Sequence, residues 1–567
     1  MHSTPSQHPD LSNFADTIFT NGKVLSLDTN STQTSAIAVR GETILALGDD
    51  TGIQSLTDQN TRRIDLRGRL LTPGLIDGHA HMDREGLKEA LPTLSGCRSI
   101  DDVLQRIQAL AAQTPVGEWI VTMPIGEPPF YENVPQCLVE GRFPTRWELD
   151  RVAPNHPVYI RAIWGHWRNT LPLVSVANSC ALERAGLDRA TLSPSANIHI
   201  DKCHSTGEPT GILYEYTYKP LVEKTLMRCI PPFNASQRLQ GLRRSMDIYA
   251  GYGTTSVFEG HGIATEVMSA YQSLRAEGPL PVRAALMFSP AWTDTNMQTI
   301  KLFLEDWGRW LAGRGLGDDY LRVAGLFTES DYCEENSLRS MCRPYTGWAG
   351  FNFNAALPRE IMIDMMVEAA RLGIQVGSFD DGVLGLFEQV NRREPIDQQR
   401  WIIEHIGCLN DDDIKRARDL GVVMQAYTNK WIYQDGERLR AQHGDEFTET
   451  IVPLRALIDA GVHVSLATDN VPPTLMAPIW HAVARRTEEA NQILGPGQKI
   501  TRTEALAAAS REGAYLSFEE QQKGTLEPGK FADLCVWNEN PLEIEEALLP
   551  TVTSDLTMTG GRIVHEV

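Results

Sequence analysis

The sequence predicts a (β/α)8 TIM barrel joined to a β-sandwich built from both chain ends, and three observations predict it. Eight short apolar runs alternate with helical stretches through the middle of the chain. Strand-like segments occupy both termini. A His-x-His pair closes the first apolar run, at the end of a strand where such barrels carry their functional groups.

The elements follow in order. Thr17-Ile18-Phe19-Thr20, Asn21-Gly22 and Lys23-Val24-Leu25 read as a hairpin, and Ala36 to Val39 with Thr43 to Ala46 as a second. The C-terminal end reads alike, with a strand at Asp533 to Trp537 and a hairpin over Met558 to Val564. The eight runs begin at Leu75, Thr254, Val282, Val323, Ile374, Trp401, Val422 and Val464. From about Gly96 to about Pro232 the chain is too long for one crossover, and it holds its own strand-like pieces, Glu118 to Thr122 and Pro157 to Arg161. This predicts an inserted subdomain over the barrel mouth. The expected division is sandwich 1–72, barrel 73–96, insertion 97–232, barrel 233–515 and sandwich 516–567.

Composition narrows the function classes. The chain has 567 residues, 42% of them hydrophobic, and a net charge of −21. The charge is spread rather than held in a tail, which argues against nucleic-acid and anionic-membrane partners. No apolar run is long enough to span a bilayer, and the first ten residues lack a secretory pattern. The nine cysteines have no CxxC spacing. A cytoplasmic protein with reduced thiols and a small-molecule substrate is the expectation.

The chemistry-bearing residues lie at the ends of the runs. His79 and His81, at i and i+2 in Gly74-Leu75-Ile76-Asp77-Gly78-His79-Ala80-His81, point to one side and can meet one cation. Asp469 follows the eighth run, positioned to bind a metal and take a proton from water. Taken alone, an Asp there more often caps a helix. His405 ends the sixth run, and Glu259 and His261 end the second in another i, i+2 pair with glycines around them. Loop-pinning explains the latter pair equally well. Glu329, Asp331, Asp380 and Asp381 also end runs, mostly as capping or supporting groups. Trp164, Trp167, Tyr427 and Trp431 are pocket or core aromatics.

These segments, with Gly207-Glu208-Pro209-Thr210-Gly211 and Gly524-Thr525-Leu526-Glu527-Pro528-Gly529-Lys530-Phe531-Ala532-Asp533, resemble the amidohydrolase superfamily, and within it amidohydrolase family 3. The resemblance implies hydrolysis of an amide, cyclic amide or N-acyl C–N bond by metal-activated water. It implies a divalent metal, zinc foremost, as one or two ions, and relatives are often dimers, so a homodimer is one expected assembly among larger ones. By motif match His79, His81, His405 and Asp469 take the ligand roles, with Asp469 and His405 catalytic. His166 and Asn178 are matched to substrate-facing positions, although their spacing is longer than usual.

Two departures stand out. The lysine that relatives carry on strand four is absent from Val323 to Glu329, and the strand-five histidine is absent from Val376 to Asp381. Glu259 is the expected replacement ligand, with His261 as a further ligand or a substrate contact, and a single-metal site is the simpler alternative. A non-hydrolytic barrel, acting as an isomerase, a decarboxylase or a binder, is the rival reading.

Overall fold

The computed structural model describes residues 14–128, 130–168, 170–292, 294–331, 338, 346–352, 355–379 and 382–567. Asp380 and Asp381 lie outside the described residues.

The eight runs form the eight barrel strands. They are β1 Leu75–Asp77, β2 Thr254–Ile263, β3 Arg283–Phe288, β4 Leu321–Phe327, β5 Val376–Ser378, β6 Ile402–Ile406, β7 Val423–Ala426 and β8 Val464–Leu466. Neighbours pair in parallel, in chain order from β1 to β8. Most of these residues are buried, as expected where helices cover a parallel sheet. The barrel closes where Gly78 N donates to Leu466 O at 3.0 Å. A Cβ on Gly78 would lie 2.2 Å from Ser465 Oγ, so only glycine lets β1 come this close to β8.

The crossover helices carry their own start and stop signals. Asn234 caps Ala235–Gly251 with Gln237 in a capping box, and Asn410 caps Asp411–Leu420, which Gly421 ends at φ 64°. Their apolar faces pack on the strands; Leu304, Met366, Val390 and Leu420 belong to the main core with Val376, Ile403 and Met424.

Strands from both chain ends share one six-stranded sheet, in which Leu534–Trp537 pairs antiparallel with Leu70–Pro73. A four-stranded sheet faces it, and Phe19, Val39, Leu71, Val536 and Met558 pack together in the core of this β domain. The second N-terminal hairpin and the C-terminal hairpin form. The expected first hairpin does not. Thr17–Thr20 pairs with Ala36–Arg40 and Arg62–Asp65 in one sheet, whereas Lys23–Leu25 pairs with Gln33–Thr34 and Leu70–Pro73 in the other. Asn21, at φ 59° and donating from Nδ2 to Asp65 Oδ1 at 2.7 Å, turns the chain between the sheets. Burying both inner faces outweighs the local hairpin preference of Asn-Gly.

Between β1 and β2 a five-stranded sheet forms from Ile120–Thr122, Val158–Ile160, Leu173–Ala177, Ile198–Lys202 and Pro209–Glu215. Its loops place Trp164, His166 and Lys219 at the barrel mouth. Among the described residues no helix is long and apolar enough to cross a membrane.

Candidate metal centre

Four imidazoles and one carboxylate converge at the C-terminal ends of the strands. His79 and His81 follow β1, His261 lies on β2, His405 on β6, and Asp469 follows β8. His79 Nε2 stands 2.9 Å from His261 Nδ1, 3.2 Å from His405 Nε2 and 3.9 Å from Asp469 Oδ1. His81 Nε2 is 2.9 Å from Asp469 Oδ1, and His405 Nε2 is 3.9 Å from it. Ligands bound to one tetrahedral zinc at about 2.0–2.2 Å stand roughly 3.3–3.6 Å apart, so these separations bracket a cation-sized cage. Donor atoms of His79, His81, His261 and Asp469 all lie within 4.8 Å of one another.

Local backbone and packing hold this geometry. His405 and Asp469 adopt φ of 52° and 50°, in the sparsely populated left-handed region, which turns both side chains into the mouth. A Cβ on Gly260 would fall 2.3 Å from His79 Nδ1, so glycine lets the imidazole lie against β2. Asp77 ties β1 to the loop after β8: its Oδ1 accepts from His79 N at 3.2 Å and Thr468 N at 3.1 Å, and its Oδ2 from Thr468 Oγ1 at 2.5 Å. Burial pushes its carboxyl up to about 7.

The electrostatics favour neutral, metal-ready imidazoles. Burial lowers the proton affinity of His79, His81 and His261, and takes His405 down to about 3. Asp469 is held below the usual carboxylate range: burial opposes its charge, but the hydrogen bond from His81 favours it.

Three groups that sequence reasoning gave no role support the cage. Gln425, on β7, donates from Nε2 to Gly78 O at 2.5 Å, which fixes its amide. Its Oε1 can then only accept, 2.7 Å from His79 Nδ1. The His79 proton therefore sits on Nδ1 and the Nε2 lone pair faces the cage. Glu404, on β6, is fully buried beside the cage, with Oε2 3.9 Å from His79 Nδ1 and 4.0 Å from His261 Nδ1. Neither of its oxygens has a hydrogen-bond partner among the described residues. Burial, then the charges of Glu329 and Asp469, raises its proton affinity well above the carboxylate range. It fills the space before Gly377 of β5, where a Cβ would lie 2.5 Å from Glu404 Oε1. An orphaned carboxyl beside clustered lone pairs is costly without a cation nearby, so the residues present fit a divalent metal. Arg84 completes the floor, donating from NH2 to His81 Nδ1 at 2.7 Å.

Two of the expected site residues lie outside the cage. Glu259 does not join the cage. Its Oε2 faces His81 Nδ1 at 4.0 Å, across the ring from Asp469, and its Oε1 accepts from Tyr271 Oη at 2.5 Å. The pairing of β2 with β3 is irregular between Glu259 and Ile263, and this bulge re-aims the side chains. His261 enters the cage, while Glu259 lies at the far edge of His81 in a second buried group, with His81 and Asp83, that could itself hold a metal ion. Asn178 does not reach the cavity. The strand Leu173–Ala177 intervenes, and Asn178 instead caps the helix Ser179–Ala185. Its Oδ1 accepts from Ala181 N and Val158 N, and its Nδ2 donates to His156 O and Ala153 O, so the side chain is saturated.

A cavity of about 220 Å³ opens onto the cage. His166 lines it, held neutral at about 4 by burial, with its ring tilted against Tyr218 at a centroid distance of 5.3 Å. Trp164, Phe351, Phe379, Tyr427 and Trp431 form apolar walls, whereas Trp167 packs into a neighbouring core.

The amidohydrolase family model matches residues 62–565. The chain belongs to the amidohydrolase family. It is 25% identical over 583 residues to the N-substituted formamide deformylase of Arthrobacter pascens, covering 97% of this chain and 98% of the relative. It is 22% identical to the protein LONG AFTER FAR-RED 3 of Arabidopsis thaliana, covering 95% and 90%. Among solved structures it resembles an uncharacterized metal-dependent hydrolase from Pyrococcus horikoshii, with TM-score 0.65 and 21% identity over 94% and 99% of the two chains. An adenosine deaminase from Xanthomonas campestris with bound zinc matches at TM-score 0.52 and 13% identity, over 97% and 92%. These structural likenesses concern the fold. This amidohydrolase departs from the expected ligand pattern by placing His261 of β2 in the cage and Glu404 beside it.

Removing the Gln425 amide is expected to loosen the cage. Gln425→Leu should weaken metal affinity by about 10- to 100-fold, the range for groups that orient a ligand histidine. Competition with a chromogenic chelator reads this directly. Unchanged affinity would mean that the Gln425–His79 hydrogen bond is incidental.

Proposed function

We propose that this amidohydrolase cleaves a C–N bond of a small amide, cyclic amide or N-acyl compound, using one divalent ion, zinc foremost, in the His79, His81, His261, Asp469 cage. The observation that carries the reading is the convergence of neutral imidazoles on an ionised Asp469 at the floor of a cavity. When bound, the ion supplies Lewis acidity and lowers the pKa of water. Gln425 orients His79. Asp469 takes the proton of the attacking water and returns it to the departing nitrogen. His166 and His405, kept neutral by burial, offer hydrogen bonds to the carbonyl or the leaving group without adding charge. The aromatic walls hold the apolar part of the substrate and exclude bulk water. Isomerisation or decarboxylation has no comparable observation in its favour.

N-formyl amines head the test panel, because the Arthrobacter pascens relative is an N-substituted formamide deformylase. N-acetyl amines, cyclic imides and hydantoins follow. The expected result is hydrolysis of at least one class, lost on chelation and restored by zinc. No hydrolysis by the metal-loaded protein, or hydrolysis indifferent to chelation, would overturn the reading.

A further inference from the structure

A second cavity, of about 350 Å³, lies outside the metal centre. Three parts of the fold meet around it. The insertion supplies Trp167 and Arg168, the turn Asn429–Gln434 after β7 supplies Tyr433, and the helix Met476–Ala484 after β8 supplies Trp480 and His481. The turn is a wall common to both cavities: Asn429, Tyr433 and Gln434 line this one, whereas Lys430 and Trp431 line the catalytic one. His481 Nδ1 stands 3.1 Å from Thr428 Oγ1, next to Tyr427 of the catalytic wall.

The lining suits an organic cation. Tyr433, Trp480 and His481 form a contiguous aromatic wall: the Tyr433 ring centre is 5.9 Å from that of Trp480 and 4.9 Å from that of His481, and the latter two are 5.3 Å apart. Burial takes His481 down to about 3, so its ring adds no positive charge. Two carboxylates, Glu132 and Glu488, share the lining with one cation, Arg168. Glu132 acts on Arg168, raising its proton affinity against burial. Glu488 meets only its own kind: burial, then the charges of Glu132 and Glu489, raise its carboxyl above the usual range. Its backbone N donates to Tyr433 O at 3.0 Å, which holds it beside the aromatic wall. The same closeness shows in the Tyr433 hydroxyl, raised by burial and then by the Glu488 charge.

We propose that this cavity is a second small-molecule site, which takes an arylalkyl ammonium ion with its ring against Tyr433 and Trp480 and its ammonium between those rings and Glu488. Aromatic faces attract a cation through their ring quadrupole, and a carboxylate in a partly desolvated cleft attracts it more strongly than one on an open surface. The volume is that of a small-molecule pocket. A neutral ligand of the same shape would leave Glu488 facing Glu132 and Glu489 alone, whereas a cation relieves that repulsion. The inference goes beyond the proposed C–N hydrolysis and does not rest on it, because none of these residues belongs to the metal cage.

Binding tests the site independently of turnover. Metal-loaded protein is titrated calorimetrically at neutral pH with phenethylamine, which is then an ammonium ion, and with its uncharged counterpart phenethyl alcohol. The wild type is compared with Glu488→Gln, Glu488→Asp and Trp480→Leu. The wild type should bind the ammonium at least about 5-fold more tightly than the alcohol, the scale of one cation–π contact. That preference should shrink as salt rises. In Glu488→Gln the ratio should fall to about one while the alcohol binds as before, and Glu488→Asp, which keeps the charge, should retain the preference. Trp480→Leu should weaken both ligands. No saturable binding to the wild type, or equal affinities for the two ligands, would overturn the site. So would a preference that survives in Glu488→Gln, or affinities indifferent to Trp480→Leu, because the ammonium would then sit elsewhere, as in the catalytic cavity. Circular dichroism confirms that the variants are folded. Failure of this site would leave the hydrolase reading standing, and failure of hydrolysis would leave the site standing.

Discussion

Asp469→Asn should lower kcat by about 10²- to 10⁴-fold, the span attributed to a positioned general acid–base. Asn keeps the shape and the left-handed backbone at φ 50°. What it loses is the charge and the ability to carry a proton between water and leaving nitrogen. The fold should persist, because the chain around Asp469 is tied by Asp77 to Thr468 and by Asn470, which donates to His81 O at 2.8 Å. Steady-state rates at matched metal occupancy make the comparison clean. A variant within about tenfold of wild type would fall below that range and assign proton transfer to another group.

The second large effect is on the metal. His79→Ala removes the one imidazole whose nitrogen lies within 4 Å of donor atoms on His261, His405 and Asp469 together. It also leaves Gln425 Oε1 without its donor. Metal affinity should fall by more than the roughly 100-fold seen when an outer supporting group is lost. A ligand that binds only the folded state stabilises it by about 2.7 kcal/mol at a hundredfold excess over Kd. Wild type should therefore gain thermal stability on adding zinc at that excess, and the variant should gain none. An equal gain in both would move the binding site away from His79.

Much of this was legible in the sequence, for identifiable reasons. Each barrel strand is a short apolar run, and each ends where a polar residue begins, so the strand ends locate His79, His405 and Asp469 without a structure. Glu404 and Gln425 were hidden differently. Glutamine is not a ligand type, and its role depends on Gly78 O approaching across the barrel. Glu404 neighbours a histidine assigned to the mouth, and strict alternation would send the two to opposite faces; the left-handed backbone at His405 breaks that rule. The i, i+2 argument put Glu259 and His261 on one side correctly for an ideal strand, but a bulge in β2 divides them between the two edges of His81. Asn178 failed because a twelve-residue spacing can hold a whole strand, as Leu173–Ala177 does.

The central claim is that His79, His81, His261 and Asp469 hold one ion. Anomalous diffraction from crystals of the zinc-loaded protein, recorded on both sides of the zinc edge, tests it most directly. The account predicts one strong peak per chain among these four side chains, within about 2.0–2.2 Å of each ligand atom. A peak on the far edge of His81, between Asp83 and Glu259, or no peak in the barrel mouth, would contradict it.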